Sequence, residues 1–186
     1  MYGVYHIPAS QMVEGGKLCA GSAQDFWLTG KIAMENGSLN LSLGLYILSV
    51  EEIGKFVPLL EARREGIGNG FTLDERSFKN HRLKQRKGLA QMKEWGCDPP
   101  PLVPLTQEER ERLWFVSWDE QKKQFGREFT PNLGNVEIVC ESIRQALNRM
   151  DYEIRKLEEN SGERQMPLGE SQRQKPETVT EVAGVD

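Results

Sequence analysis

Cysteine is scarce in the sequence, and no two cysteines lie close together. Three occur among the 186 residues, Cys19, Cys97 and Cys140, and none forms a C-x-x-C pair. Because zinc sites and disulfide frameworks require closely spaced or numerous cysteines, neither is indicated. We therefore expect no metal site and no other cofactor, and the low cysteine content is consistent with the reducing cytoplasm.

A long apolar run is also missing. The longest mainly apolar stretch extends from Leu39 to Val50, contains polar residues and ends at Glu51. A membrane-spanning helix needs about 20 apolar residues, so this stretch is too short. The N-terminus has no basic region followed by an apolar core, and no signal peptide is predicted. These absences predict a soluble, cytoplasmic protein without membrane contact.

Neither sign of charge dominates the sequence. Charged residues make up 28% of it, hydrophobic residues make up 38%, and the net charge is -4. These values are typical of soluble globular proteins and argue against a strongly basic nucleic-acid binder, but they allow a local basic patch. A chain of 186 residues is suited to one domain with a tail.

Helical periodicity is the main pattern that the sequence does contain. Apolar residues recur at three- and four-residue spacing in four segments, which predicts four long or medium helices. Their predicted bounds are 17–35, about 38–65, 72–95 and 136–159, with a short additional helix near 107–112. Thr72 and Glu75 match the T-x-x-E capping box expected at the start of the third helix. Pro58 is expected to kink or shorten the second helix, because proline lacks a backbone donor.

The regions outside these helices differ in composition. Residues 1–16 include Pro8 and a glycine pair and are predicted to be irregular. A proline-rich and aromatic-rich insertion precedes the last helix, and its segment 113–118 is expected to be extended. Residues 161–186 contain no aromatic residue and are predicted to form a disordered tail. The predicted fold is an all-α bundle of four to five helices over residues 17–160.

Two acids and a lysine interrupt the apolar second helix, at Glu51, Glu52 and Lys55. A charge buried in such a helix is unfavourable unless another group pairs with it. In one interpretation, Glu51 and Lys55 form a local ion pair on a half-exposed face. In the other, Glu51 faces inward and meets a cation of the third helix, and Gly54 allows the two helices to approach closely. The spacing leaves both interpretations open.

One face of the third helix combines a histidine with apolar residues. It consists of Phe78, His81, Gln85, Leu89 and Met92. His81 is then either a hydrogen-bonded core residue or an acid–base group whose tautomer is set by a carboxylate such as Glu51. Arg76 precedes it in an R-x4-H pattern, which suits RNA cleavage if the arginine stabilises phosphate charge. On an ideal helix the two point about 140° apart, so they converge only if the helix start is irregular or the site spans two subunits.

A basic run accompanies the histidine on the third helix. It consists of Lys79, Arg82, Lys84, Arg86 and Lys87, with no acid among them. The run is either a solvated helix face or a strip that contacts phosphate groups. The sequence is compatible with both.

At these residues the sequence resembles the AbiV family of bacterial abortive-infection proteins, within the HEPN superfamily. The resemblance lies in L-S-x-E-E-[IL]-G-K at Leu48–Lys55, followed by F-x-x-H-x-x-K at Phe78–Lys84. It extends more loosely over roughly residues 15–159. The resemblance implies a HEPN-like helical bundle, a dimer and a role in antiphage defence. Many HEPN relatives are metal-independent ribonucleases that use R-x4-6-H at a dimer interface.

The resemblance also implies roles for individual residues. His81 would be the catalytic histidine, Arg76 the phosphate-binding arginine, and Glu51 their partner from the second helix. Residues expected to support them or to bind RNA are Glu52, Lys55, Asn80, Arg82 and Lys84. Ser77 follows the arginine, where active HEPN nucleases commonly have a more strongly polar residue.

These observations lead to two functional hypotheses. In the first, the protein is a dimeric antiphage effector that cleaves or binds RNA (tRNA, rRNA or mRNA), blocks translation in infected cells and responds to a phage-encoded protein. In the second, it is a non-catalytic interaction module that binds a phage or host protein, and the charged cluster is a structural polar network. Whether the protein is an enzyme stays open at this point.

Overall fold

The structure, a computed structural model, describes residues 3–8, 10–64, 71–97, 117–119, 124–126 and 131–163. Within these ranges it contains five helices and four short strands. In chain order they are β1 Val4–Ile7, α1 Ser10–Glu35, α2 Leu39–Arg64, β2 Phe71–Asp74, α3 Arg76–Lys79, α4 His81–Glu94, β3 Ser117–Asp119, β4 Gln124–Gly126 and α5 Leu133–Glu163. The predicted all-α bundle is confirmed, because the long helices form the core and the strands are peripheral additions.

Helix α2 is the centre of the bundle and packs against α1, α4 and α5. It is buried on nearly every side, and Tyr46, Ile53 and Phe56 have no exposed surface. The α1–α2 connection forms at Gly37, whose φ of 76° is readily adopted by glycine. This connection confirms the predicted helix stop. Helix α2 continues through Pro58 to Arg64, so the predicted shortening does not occur; packing on three sides holds the helix despite one missing backbone donor.

The N-terminal segment is more regular than predicted. Val4–Ile7 forms β1, which pairs antiparallel with β2 from Val4↔Asp74 to Ile7↔Phe71. Helix α1 begins at Ser10 rather than at residue 17 and includes the glycine pair. A Cβ atom on Gly16 would lie 3.1 Å from Cε2 of Phe56. The glycine therefore allows close packing of α1 on α2 and does not interrupt the helix.

The predicted third helix is a strand followed by two helices, which corrects the capping-box prediction. Thr72 lies in β2 opposite His6, and Glu75 precedes the short α3 without a side-chain cap bond. Asn80 is extended, with φ -83° and ψ 104°, and separates α3 from α4. Its Oδ1 accepts a hydrogen bond of 2.9 Å from the backbone N–H of Leu83 and caps α4. Pairing with β1 therefore overrides the local helix signal at residues 72–75.

The last helix, α5, runs from Leu133 to Glu163 and exceeds its predicted bounds at both ends. Residues 161–163, which were predicted to belong to the tail, are therefore helical. Before α5, β3 and β4 form an antiparallel pair with Trp118 opposite Phe125. The prediction that the backbone is extended therefore holds for residues 117–118. The rest of segment 113–118, the predicted helix near 107–112 and residues 164–186 lie outside the described residues. Across the described helices, none is long and apolar enough to cross a membrane.

Candidate functional site

The carboxylate of Glu51 is the centre of a polar cluster between α2 and α4. Only 2% of the residue is exposed. Its Oε2 atom lies 2.6 Å from Nδ1 of His81 and 3.1 Å from Nζ of Lys84. Its Oε1 accepts a 2.9 Å hydrogen bond from Nε2 of Gln85. The interpretation in which Glu51 faces inward and meets a cation of the predicted third helix is confirmed, and that cation is Lys84 of α4.

Two glycines bring α2 and α4 close enough for this cluster to form. A Cβ atom on Gly54 would overlap with the carbonyl oxygen of Lys84, and one on Gly88 would overlap with the carbonyl oxygen of Val50. The two backbones are therefore in direct contact on either side of Glu51. The predicted role of Gly54 in close helix approach is confirmed, and Gly88 is the counterpart that sequence reasoning missed.

The environment of Glu51 favours its ionised form. Burial alone would raise the pKa of its carboxyl, but hydrogen bonds from Gln85 and His81 and the charge of Lys84 outweigh burial and hold the pKa below its ordinary value. An ionised carboxylate only accepts hydrogen bonds. Nδ1 of His81 therefore carries the proton that is shared with Glu51.

The second ring nitrogen of His81 is available to a ligand. The side chain of His81 is 45% exposed, whereas that of Glu51 is 2% exposed. No hydrogen bond to Nε2 is formed within the described part of the chain. When His81 is neutral, the Nδ1–H bond to Glu51 leaves a lone pair on Nε2, which can accept a proton. The pair can thus act as a general base that is open to solvent.

The break between α3 and α4 positions His81. Asn80 caps α4, and His81 is the first residue of this helix. Upstream, Glu75 anchors the chain to the N-terminal strand: its Oε2 accepts a 2.8 Å bond from the Gly3 N–H, and its Oε1 accepts a 3.1 Å bond from the Tyr5 hydroxyl. It also pairs with Lys79. Thus β1, β2 and α3 together determine where α4 begins.

Glu52 and Lys55 form their own ion pair beside the cluster. Nζ of Lys55 lies 2.6 Å from Oε1 of Glu52, and both side chains are largely buried. Lys55 therefore pairs with Glu52 in place of the predicted pairing with Glu51. These two residues contribute a neutral pair on α2, and the structure records no bond from either to His81 within the described residues.

Arg76 lies at the start of α3, on the other side of the Asn80 break, and is exposed. Its backbone N–H donates a 2.8 Å bond to Oδ1 of Asp74. Because Arg76 and His81 belong to different helices, the separation of about 140° calculated for one continuous helix does not apply. Among the described residues, no hydrogen bond or ion pair joins their side chains.

The basic run divides into paired and unpaired residues. Lys84 is buried against Glu51, with 6% of its side chain exposed. Lys79 pairs with Glu75, and Nζ of Lys87 lies 3.5 Å from Oε2 of Glu61. Only Arg82 and Arg86 of the run are exposed without an ion-pair partner among the described residues. The position of Lys84 favours a role in holding Glu51 over direct contact with RNA.

Gln85 is a site residue that sequence reasoning missed, although it was placed on the same face as His81. Its spacing of one turn from His81 was the available signal, because a side chain there can reach the same acceptor.

Among the residues that the structure describes, no group of three or more His, Cys, Asp or Glu side chains could hold a metal ion.

Comparison with known families gives a match. The HEPN model for AbiV matches residues 11–138 of the chain, a range that includes Glu51, Asn80, His81 and both glycines of the helix crossing. No curated protein and no solved structure matches the chain.

Proposed function

Because the chain belongs to the AbiV family of HEPN-type proteins, we propose that it is an abortive-infection effector that cleaves RNA and so blocks translation in phage-infected cells. The observation that carries the proposal is the pairing of a buried carboxylate with an exposed imidazole: Glu51 holds Nδ1 of His81 at 2.6 Å. A buried carboxylate that orients an exposed histidine is a general acid–base arrangement.

In the proposed reaction, Nε2 of His81 removes the proton of an RNA 2′-hydroxyl. The 2′-oxygen then attacks the adjacent phosphorus, and the bond from phosphorus to the 5′-oxygen breaks. The leaving oxygen takes a proton, and the products are a 2′,3′-cyclic phosphate and a 5′-hydroxyl. Glu51 stabilises the imidazolium that forms on His81. No metal ion takes part in these steps.

The proposal includes a homodimer, in which the second subunit can contribute residues to the site. The exposed side chain of Arg76 has no ion-pair partner among the described residues, so it is available to a phosphate group from the same or a second subunit. In a homodimer, the corresponding histidine of the second subunit can protonate the leaving oxygen. We further propose that the protein acts in the cytoplasm and that a phage-encoded protein triggers it.

The direct test is incubation of the purified protein with tRNA and with total RNA in the presence of a chelator. We expect fragments with 2′,3′-cyclic phosphate ends from the wild type and no cleavage by His81→Ala. The matched control is His6→Ala, since His6 is the other of the two histidines of the sequence and lies on β1. Equal cleavage by wild type and His81→Ala would remove His81 from the mechanism.

A second candidate function is a non-catalytic interaction module that binds a phage or host protein. The burial of Lys84 against Glu51 at the closest contact of two helices favours it, because such a pair also fixes helix packing. In that case Glu51→Ala and His81→Ala would both lower the melting temperature strongly while RNA stays intact. Under the ribonuclease proposal, His81→Ala changes the melting temperature little, because its side chain is 45% exposed.

A further inference from the structure

Helix α4 has an unusual distribution of charge for a protein of net charge -4. Its sequence HRLKQRKGLAQMKE contains five Lys and Arg residues and one acid, which is its last residue. Lys84 and Lys87 have ion-pair partners, whereas Arg82, Arg86 and Lys93 are exposed and have none among the described residues. Three cations without an ion-pair partner in the described part of the chain therefore lie on this helix.

These three cations share one face of α4. At about 100° per residue, Arg82, Arg86 and Lys93 point within about 40° of one another. They extend over roughly 16 Å of helix axis, at about 1.5 Å per residue. We call this line of side chains the α4 track. It begins at the residue after His81 and leads away from it along the helix axis. By the same counting, the track points about 100–140° away from His81 around that axis, so a bound strand passes around the start of α4 to reach the Glu51–His81 pair.

Helix stability explains Lys93, which lies in the last turn where cations are favoured, but it does not explain the start of the track. A cation in the first turn of a helix opposes the helix dipole, and acids are favoured there. Helix α4 has Arg82 in its first turn and no acid. A merely solvated face would be expected to intersperse acids with the cations. The arrangement instead resembles a surface kept positive for a ligand.

The side-chain composition of the track indicates which kind of ligand it binds. None of the exposed large hydrophobic residues of the described chain lies on α4. Protein interfaces use aromatic or aliphatic anchors at their centre, so an acidic protein would find no anchor here. A polyanion needs only a line of cations. Each nucleotide of a strand carries one phosphate charge, so a track of roughly 16 Å can contact more than one of them.

We propose that Arg82, Arg86 and Lys93 bind the phosphate backbone of single-stranded RNA and lead it to His81. This inference rests on the proposed function, since it takes RNA as the ligand of the same site. A single strand is favoured over a duplex because one line of cations follows one backbone. In addition, the attacking 2′-oxygen must lie in line with the leaving 5′-oxygen, a geometry that a stacked A-form duplex does not allow.

Binding is tested separately from cleavage with a fluorescent oligoribonucleotide whose 2′-hydroxyls are methylated, so that it is bound and not cleaved. Its affinity for the full chain is measured over a series of salt concentrations. The track variant is Arg82→Gln/Arg86→Gln. The matched control is Arg149→Gln/Arg155→Gln, because these arginines are also exposed, helical and unpaired among the described residues. Both variants lose two charges, and glutamine has a helix propensity close to that of arginine.

We expect the track variant to bind roughly 25-fold more weakly than wild type at about 0.1 M salt, and the slope of log K against log salt to become smaller by about 1.4. Lys93→Gln should reduce the slope by about 0.7. The affinity and the salt slope of the control variant should stay near those of the wild type. A duplex of matching sequence should bind more weakly than the single strand. Equal losses in both double variants, unchanged affinity of the track variant, or binding of an acidic protein in place of RNA would overturn the proposal.

The two proposals fail in different ways. If RNA binds through the track but His81→Ala cleaves as fast as wild type, the catalytic proposal fails and the track stands. If cleavage depends on His81 but the track variant binds RNA normally, the track fails and the catalytic proposal stands.

Discussion

Gly54 of α2 and Lys84 of α4 meet backbone to backbone, with no room for a side-chain carbon between them. This contact places the Lys84 side chain beside Glu51, which lies one turn before Gly54 on the same helix. The polar cluster therefore depends on a steric feature that carries no charge. The stability of the helix crossing and the geometry of the Glu51–His81 pair should change together.

Replacing Gly54 by alanine should separate α2 from α4. The added Cβ overlaps with a backbone carbonyl, which can move only if the two helices move apart. We therefore expect the free energy of unfolding to fall by about 1–3 kcal/mol or more, as for overpacked cores. Urea denaturation measures it. The control is Gly21→Ala, where a Cβ meets nothing within 4 Å and a gain of roughly 0.5–1 kcal/mol is expected. Equal stability of Gly54→Ala and wild type would show that the helices are not in contact there.

Removing the charge of Glu51 should leave Lys84 buried without its partner. We expect Glu51→Gln to cost about 3–5 kcal/mol in the free energy of unfolding, and the additional change Lys84→Met to recover much of that loss. The adjacent Glu52→Gln is the control, because its partner Lys55 is more exposed than Lys84; it should cost less than Glu51→Gln. Additive effects of the Glu51 and Lys84 changes in a double-mutant cycle would exclude the coupling.

Acid should weaken the attachment of the N-terminal strand to Glu75. The hydrogen bond from the Gly3 N–H, together with Lys79 and Tyr5, lowers the pKa of Glu75 to about 2. Because this folded-state pKa lies below the unfolded value of about 4.3, the ionised carboxylate stabilises the strand above that value, and the stabilisation is lost as the pH falls toward 2. NMR titration of the Gly3 and Tyr5 amides measures it.

Two variants control this titration. Glu75→Gln should show weakened β1–β2 pairing at neutral pH and no further change on acidification. Glu141, on α5, also has a pKa of about 2, which arises from its hydrogen bonds to Arg144 and Gln145. Glu141→Gln should leave the titration of the β1 amides unchanged. Release of β1 that begins above pH 6 would contradict the role of Glu75.

Loss of the Asn80 cap should affect activity more than stability. Asn80→Ala removes the bond to the Leu83 N–H and should cost about 1 kcal/mol, while the shifted start of α4 moves His81. RNA cleavage is expected to fall in the alanine variant and to be largely kept in Asn80→Asp, which can form the same cap. If Asn80→Asp is stable but inactive, then Asn80 contacts RNA through its amide.

The sequence by itself determined the features that depend on local periodicity and local spacing. The positions of the long helices follow from apolar residues at helical intervals, and the stop near Gly37 follows from its turn-forming residues. The family follows from two short motifs, at Leu48–Lys55 and Phe78–Lys84. Helical counting also placed Glu51 and His81 on faces that could meet.

Only the tertiary structure decided the features that depend on distant residues. The pairing of Val4 with Asp74 turned a predicted helix start into a strand, because a ladder of backbone hydrogen bonds to a distant segment outweighs a local capping signal. The contact of Gly54 with Lys84 selected which basic residues are buried and which remain at the surface. A one-dimensional pattern holds no distances between such segments, so it indicated the members of the charged cluster but not which of them pair.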